Sequence, residues 1–134
     1  KKPVKIKEAK PSAQVPKAPI KTVPPTVVTH RLTSEDQVVV DKGDLVLLDA
    51  AEKESELVAK QSVWAYQSVA GKVIAGIENE AATIYIHDFD AQLISIGGVY
   101  KQFDQTPDKL KGKTVMIDLD NGRLRFRLIP NSSA

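Results

Sequence analysis

The sequence has no cysteine, a single tryptophan and no long apolar run. Without cysteine, disulfides, thiolate metal sites and cysteine nucleophiles are all excluded. No segment approaches the ~20 apolar residues that a transmembrane helix needs, and the first residues lack the apolar middle of a signal peptide. Aromatic residues make up only 5% of the chain, so the core should be mainly aliphatic. The 134 residues fit one domain with an extension.

Residues suited to catalysis are also scarce. The two histidines are His30, beside a proline-rich segment, and His87, at the end of a strand pattern. A triad needs a base held on a rigid scaffold, and neither position predicts one. His87-Asp88-Phe89-Asp90 lacks a third metal ligand, Asp118 to Gly122 lacks the glutamate of a calcium loop, and no phosphate-binding glycine motif occurs. The sequence therefore predicts no enzyme, metal or cofactor, and a hydrolase or metal enzyme remains a weak alternative.

The first 26 residues are basic and rich in proline. They hold seven lysines against Glu8, a charge of +6, and the net charge of +2 leaves −4 for residues 27–134. Such a segment cannot bury enough surface to fold alone, so residues 1–26 are predicted to form a flexible arm. The arm is interpreted as a spacer or as a contact with an acidic lipid or protein surface. The acidic remainder argues against a nucleic-acid partner.

Residues 27–71 are predicted to form an extended segment followed by a helix. Val27 to Thr29 and Val38 to Val40 are β-branched stretches that predict short strands or a docking peptide. Leu45 to Ala70 contains strong helix formers and no internal glycine or proline, and Gly71 is a typical helix stop. A competing interpretation pairs Val38 to Val40 with Leu45 to Leu48 as a hairpin.

Residues 72–134 alternate apolar and polar side chains in six segments, which is typical of half-buried strands. These segments are Val73–Ile77, Ala82–His87, Gln92–Ile96, Val99–Phe103, Thr114–Leu119 and Arg123–Ile129. So many short strands in so short a stretch indicate a small β domain. The predicted fold is mainly β with one helix (α+β): a small antiparallel β-sandwich or partly open barrel, preceded by the helix and the arm.

The last two segments predict a β-hairpin. Asn121-Gly122 is the sequence of a type I′ hairpin turn, in which both residues adopt positive φ. A two-residue loop fixes the register, so Asp118 should lie opposite Arg125 and Ile117 opposite Phe126. One face of the hairpin is then apolar and the other charged.

Four residues are predicted to bind a partner. Arg123, Arg125 and Arg127 alternate along one strand and form the main cationic feature of the folded part. They are interpreted either as a solvated, aggregation-resistant face or as a docking strand. Trp64 lies near the outer end of the predicted helix, where the apolar stripe is interrupted and a partner can pack.

The order of elements resembles PilP-type pilus assembly proteins and, more distantly, the periplasmic domain of GspC-type secretion proteins. The resemblance rests on the proline-rich arm, Gly43-Asp44-Leu45 opening an Ala- and Glu-rich helix, and the Asn121-Gly122 hairpin. It implies a periplasmic or cell-envelope module that contacts an outer-membrane secretin or other subunits of a larger complex. It carries over no individual binding residue.

The predicted function is a non-enzymatic protein–protein interaction or scaffold module of a cell-envelope assembly, such as a pilus or secretion system. An anchor upstream of Lys1 would hold it near a membrane. A structural component of a virus particle is the alternative, because β modules on extended arms also suit particles.

Overall fold

The structure is a computed structural model that describes residues 23–130. The predicted arm of residues 1–26 lies outside the described residues except for its last four positions. Of these, Val23 to Pro25 are exposed and have no regular structure.

The described residues contain strands and no helix. Eleven strands follow one another along residues 23–130. They are β1 (Thr26–Val28), β2 (Gln37–Val40), β3 (Leu45–Leu47), β4 (Glu56–Ala59), β5 (Val63–Val69), β6 (Lys72–Ala75), β7 (Ile84–Phe89), β8 (Leu93–Ile96), β9 (Val99–Gln102), β10 (Val115–Asp120) and β11 (Arg123–Leu128).

The strands form a parallel β-solenoid of four coils. The chain alternates between a six-stranded sheet, ordered β1-β3-β5-β7-β10-β11, and a five-stranded sheet, ordered β2-β4-β6-β8-β9. Within the coils all pairings are parallel, from β1 to β7 in the first sheet and from β2 to β8 in the second. Parallel bridges from Leu32 to Ala51 and from Ala51 to Val69 form a short third wall.

The core is built from equivalent residues stacked coil upon coil. Leu45, Val63 and Ile84 occupy one position of successive coils, and all three are fully buried. The inward positions are nearly all Val, Ile, Leu and Ala, which pack well inside a sheet buried on its inner side. Equivalent apolar residues of neighbouring coils bury one another, so the coils stabilise one another.

The corners between strands depend on a few tight contacts. Glu54 adopts a positive φ of 70°, and its backbone N–H donates to Oε1 of Gln92 at 2.8 Å. Gly71 lies against the backbone carbonyl of the buried Ser55, so closely that a Cβ would overlap it. Glycine at this corner is thus required for two coils to approach.

Antiparallel elements close the C-terminal end of the solenoid. β9 folds back on β8, and β10 and β11 add to β7 as an antiparallel pair. Beneath them Phe89, Phe103 and Phe126 meet edge to face, with ring centroids 5.6 to 6.2 Å apart. This arrangement is favourable for aromatic rings and covers the apolar residues of the last coil.

The predicted helix over Leu45 to Ala70 is wrong, because these residues form β3, β4 and β5. Their strong helix propensity is outweighed by burial against neighbouring coils, a tertiary effect that propensity does not contain. The alternative hairpin of Val38 to Val40 with Leu45 to Leu48 is also wrong, since β2 and β3 belong to different sheets. The predicted antiparallel sandwich or barrel with a helix is therefore corrected to an all-β parallel solenoid.

Local predictions in the second half are confirmed. All six predicted strands are present with ends shifted by no more than a few residues. The hairpin has the expected register, with Asp118 opposite Arg125 and Ile117 opposite Phe126. Asn121 and Gly122 both have positive φ, 53° and 76°.

Candidate functional site

The outer side of the six-stranded sheet carries a continuous row of large side chains, which we call the six-strand face. One residue of each strand contributes, in hydrogen-bonded register. The row runs Val27, Val46, Trp64, Tyr85, Met116 and Arg127. Six strands spaced by ~4.8 Å make it roughly 24 Å wide, a size suited to protein contact.

Aromatic rings occupy the middle of the six-strand face. The Tyr85 ring centroid lies 6.3 Å from that of Trp64 and 5.5 Å from that of Tyr66, which is 45% exposed. The indole is fixed because its Nε1 donates to Oδ2 of Asp44 at 3.0 Å, while Oδ1 accepts from the backbone N–H of Ser62 at 3.0 Å. Rigid aromatic residues at the centre of a protein interface often contribute most of the binding free energy.

Charged residues occupy the β11 end of the same face. Arg125 donates to both oxygens of Asp118 at 2.9 Å, and Arg127 donates to Oδ2 of Asp118 at 2.8 Å. The Arg125 hydrogen bond, above all, holds the pKa of the Asp118 carboxyl below its ordinary range. Two of the three predicted arginines thus share one carboxylate, and Asp120 lies 3.9 Å from Arg125. The end of the face carries little uncompensated charge.

The structure brings all four predicted partner-binding residues onto this one face. Arg123, Arg125 and Arg127 point outward from β11, and Trp64 lies three strands away in the row of Arg127. The prediction for Trp64 rested on a helix, but the residue lies in β5, and its outward position follows from the pleat of that strand. Their role in binding remains a prediction.

The outer side of the five-stranded sheet carries a second row, which we call the five-strand face. Its members are Val39, Val58, Ile74, Ser95 and Tyr100, in register across β2, β4, β6, β8 and β9. Val39 is 61% exposed and Tyr100 66% exposed. A polar row that includes Gln37, Glu56 and Lys72 runs beside it.

Sequence reasoning missed the five-strand face. Its signal was present, because Val39, Val58 and Ile74 each lie between inward-facing positions and recur about every 16 to 19 residues. A search for internal repeats would have aligned them. The alternation of apolar and polar residues within a single segment does not reveal this repeat.

Neither histidine belongs to one of the two rows, although His87 follows Tyr85 by two residues on the outer side of β7. His30 and His87 are exposed, and the carbonyl of His87 accepts a hydrogen bond from the Thr114 hydroxyl at 2.8 Å. In residues 23–130 no three His, Asp or Glu side chains gather closely enough to hold a metal ion. Over the same range, no helix is long and apolar enough to cross a membrane.

The sequence of this chain matches a known protein family over most of its length. Residues 26–129, from the start of β1 to just past β11, match the family described as septum formation inhibitor MinC, C-terminal domain. The chain belongs to this MinC family.

Individual relatives agree with the MinC assignment. The chain is 34% identical over 120 residues to a probable septum site-determining protein MinC of Chromobacterium violaceum, covering 87% of this chain and 50% of that protein. It is 33% identical over 100 residues to the Neisseria gonorrhoeae protein of the same description, covering 73% of this chain and 42% of that protein. The chain thus spans about half the length of the curated MinC relatives it matches.

A solved structure shares the MinC fold. It is described as the MinC:MinD cell division protein complex of Aquifex aeolicus and superimposes with a TM-score of 0.74, covering 82% of this chain and 90% of that one. At 16% identity this likeness supports the fold alone. That solved structure is a complex of two proteins, MinC and MinD.

MinC membership corrects several predictions. The resemblance to PilP-type and GspC-type proteins is wrong, and so is the pilus or secretion-system function derived from it, because the matching family is one of septum formation inhibitors. The periplasmic or cell-envelope location depended on that resemblance and is wrong with it. The alternative of a virus-particle component falls for the same reason. The prediction that the chain is not an enzyme is confirmed, since the MinC family inhibits division without catalysis.

Proposed function

We propose that this chain is the partner-binding part of a septum formation inhibitor, which acts in the cytoplasm at the membrane by binding a MinD protein. The observation that carries this is the family match over residues 26–129, which includes all eleven strands. The Aquifex aeolicus complex, in which a structurally similar chain is paired with MinD, supports the choice of partner. A rigid solenoid with two exposed side-chain rows suits such a role, because it presents flat, preorganised surfaces.

The five-strand face is the proposed MinD contact. Val39 and Tyr100 are the most exposed large apolar side chains of the described residues, and they mark the two ends of one row. Exposed apolar residues rimmed by polar ones are typical of protein interfaces. Beside the row, Gln37, Glu56 and Lys72 form a polar rim that contains one acidic and one basic side chain.

The six-strand face is proposed to bind a second copy of the chain. Its aromatic centre, Trp64 and Tyr85, lies on the third and fourth strands of six, so a two-fold axis between β5 and β7 lays the aromatic rings of two copies on each other. Asp118 and Asp120 offset part of the charge of the three arginines of β11, which reduces the repulsion between two copies. In this arrangement Arg123, Arg125 and Arg127 form the polar rim of the interface.

Two matched valine variants separate the two surfaces. Val39→Asp charges the five-strand face, and Val27→Asp charges the six-strand face; both valines are at least half exposed, so both variants should fold. Binding to the MinD protein of the same organism should weaken about tenfold or more in Val39→Asp, as expected for a charge facing an apolar contact. Biolayer interferometry with the full chain measures it. Equal MinD affinity for Val39→Asp and the wild type would refute this contact.

Self-association is measured on the same two proteins by analytical ultracentrifugation. Val39→Asp should retain the dimer, whereas Val27→Asp and, more strongly, Tyr66→Glu should shift it toward monomer. A wild-type chain that stays monomeric throughout the micromolar range would refute the proposed role of the six-strand face and leave the MinD contact unaffected.

A further inference from the structure

A third surface feature lies outside both faces, at the C-terminal end of the solenoid. A cleft of about 310 Å³ opens where β9 and β11 approach each other. It is lined by Lys101, Phe103, Pro107, Lys109, Leu110, Phe126 and Leu128. Its floor is the exposed side of the aromatic cluster that closes the core.

The cleft combines an apolar floor with a basic rim. Phe103, Leu110 and Phe126 supply the floor, and Lys101 and Lys109 supply the rim. The ammonium of Lys101 lies 5.6 Å from the centroid of the Phe103 ring, a cation–π distance that keeps the charge at the mouth of the cleft. No carboxylate is among the lining residues, so neither lysine is neutralised from within the cleft.

Strand edges flank the opening on both sides. β9 ends the five-stranded sheet and β11 ends the six-stranded sheet, so among the described residues each pairs on one side only. Leu128, near the end of β11, is 53% exposed beside the cleft. A strand edge next to an apolar pocket can accept an extended peptide, with backbone hydrogen bonds from the edge and a side chain in the pocket.

We propose that this cleft binds an extended acidic peptide segment of a partner protein. A leucine or phenylalanine of the peptide enters the apolar floor, and carboxylates on either side of it meet Lys101 and Lys109. Charge complementarity determines this choice of occupant. The chain's own basic arm, with a charge of +6, is repelled by the same lysines and does not fit. The site is separate from the two faces assigned above and does not depend on them.

The test uses the full chain and a fluorescein-labelled peptide, Glu-Asp-Leu-Phe-Asp-Glu, with fluorescence anisotropy as the readout. The Lys101→Glu, Lys109→Glu double variant should weaken binding about tenfold or more, because two attractive contacts become repulsive. Lys42→Glu with Lys53→Glu is the matched control, since it makes the same charge change at exposed residues outside the cleft. This control should bind as tightly as the wild type.

Two further measurements test the charge of the peptide and the apolar lining of the cleft. The neutral peptide Gln-Asn-Leu-Phe-Asn-Gln should bind more weakly than the acidic one. Leu128→Asp, a change at an exposed position, should weaken binding of the acidic peptide without loss of the circular dichroism of the fold. Equal weakening in the control variant, absence of peptide binding, or binding to phosphatidylglycerol vesicles in place of the peptide would overturn the proposal. None of these results alters the expected binding of MinD.

Discussion

Replacing Phe89 by alanine should lower the free energy of unfolding by about 3 to 5 kcal/mol, the usual cost of truncating a fully buried phenylalanine. Phe89 ends β7 in the last coil, and its ring meets Phe103 and Phe126 edge to face. It therefore joins the stacked coils to the antiparallel cap. Truncation removes the apolar contacts and leaves a cavity between two parts that cannot easily collapse together.

The expected loss is large enough for thermal unfolding to detect. For a domain of this size each kcal/mol lowers the Tm by roughly 4 °C, so the Tm should fall by roughly 12 to 20 °C. Far-UV circular dichroism follows the strands, and fluorescence of the single tryptophan, Trp64, follows the centre of the six-stranded sheet. If Phe89 couples the cap to the coils, both signals should shift together.

Tyr100→Ala is the matched control for this prediction. It also truncates an aromatic residue, but one that is 66% exposed, so its stability should change by no more than about 0.5 kcal/mol. A Phe89→Ala loss below about 1 kcal/mol would mean that the cap does not pack on the last coil as described. The reasoning about how the solenoid is closed would then fail.

Three other substitutions have definite expected outcomes. Gly71→Ala should destabilise the domain by about 2 kcal/mol in urea unfolding, because the added methyl group meets the Ser55 carbonyl; no change would mean that the corner backbone moves freely. Asp118→Asn should remove an acid-dependent part of stability. The folded-state pKa of Asp118 is lowered, mainly by the Arg125 hydrogen bond. The ionised carboxylate therefore stabilises the folded wild type at pH values above 3.8, the ordinary pKa, and this contribution is lost as the pH falls through the lowered folded-state pKa. If the stability of the wild type and of Asp118→Asn fell identically on acidification, this prediction would be wrong. Trp64→Phe should lower stability measurably in the same unfolding assay, because Asp44 loses the indole N–H as a donor.

The second half of the chain was predictable because its information is local. Asn121 and Gly122 accept positive φ at little cost, and a two-residue loop leaves a single register for β10 and β11. The outward direction of Arg125 and Arg127 follows from that register and from the two-residue period. These features need no knowledge of the rest of the protein.

The first half was misread because its information lies in the repeat. Leu32, Ala51, Val69 and Phe89 occupy equivalent positions of four successive coils, about 18 to 20 residues apart. The residues between β3 and β5 outside the strands include Glu, Lys, Ala and Ser, which are acceptable in a helix, so local composition favoured a helix over Leu45 to Ala70. Comparison of the coils with one another carries the correct signal.

The sequence by itself determined the absence of cysteine chemistry, the basic arm, the C-terminal hairpin and the alternation of its faces, because each follows from residue type or from neighbours in the chain. Only the tertiary structure decided that the strands stack in parallel coils and that Trp64 shares a face with Arg127. Those pairings join residues far apart in sequence, and their free energy comes from burial between coils, which no single segment of the chain contains.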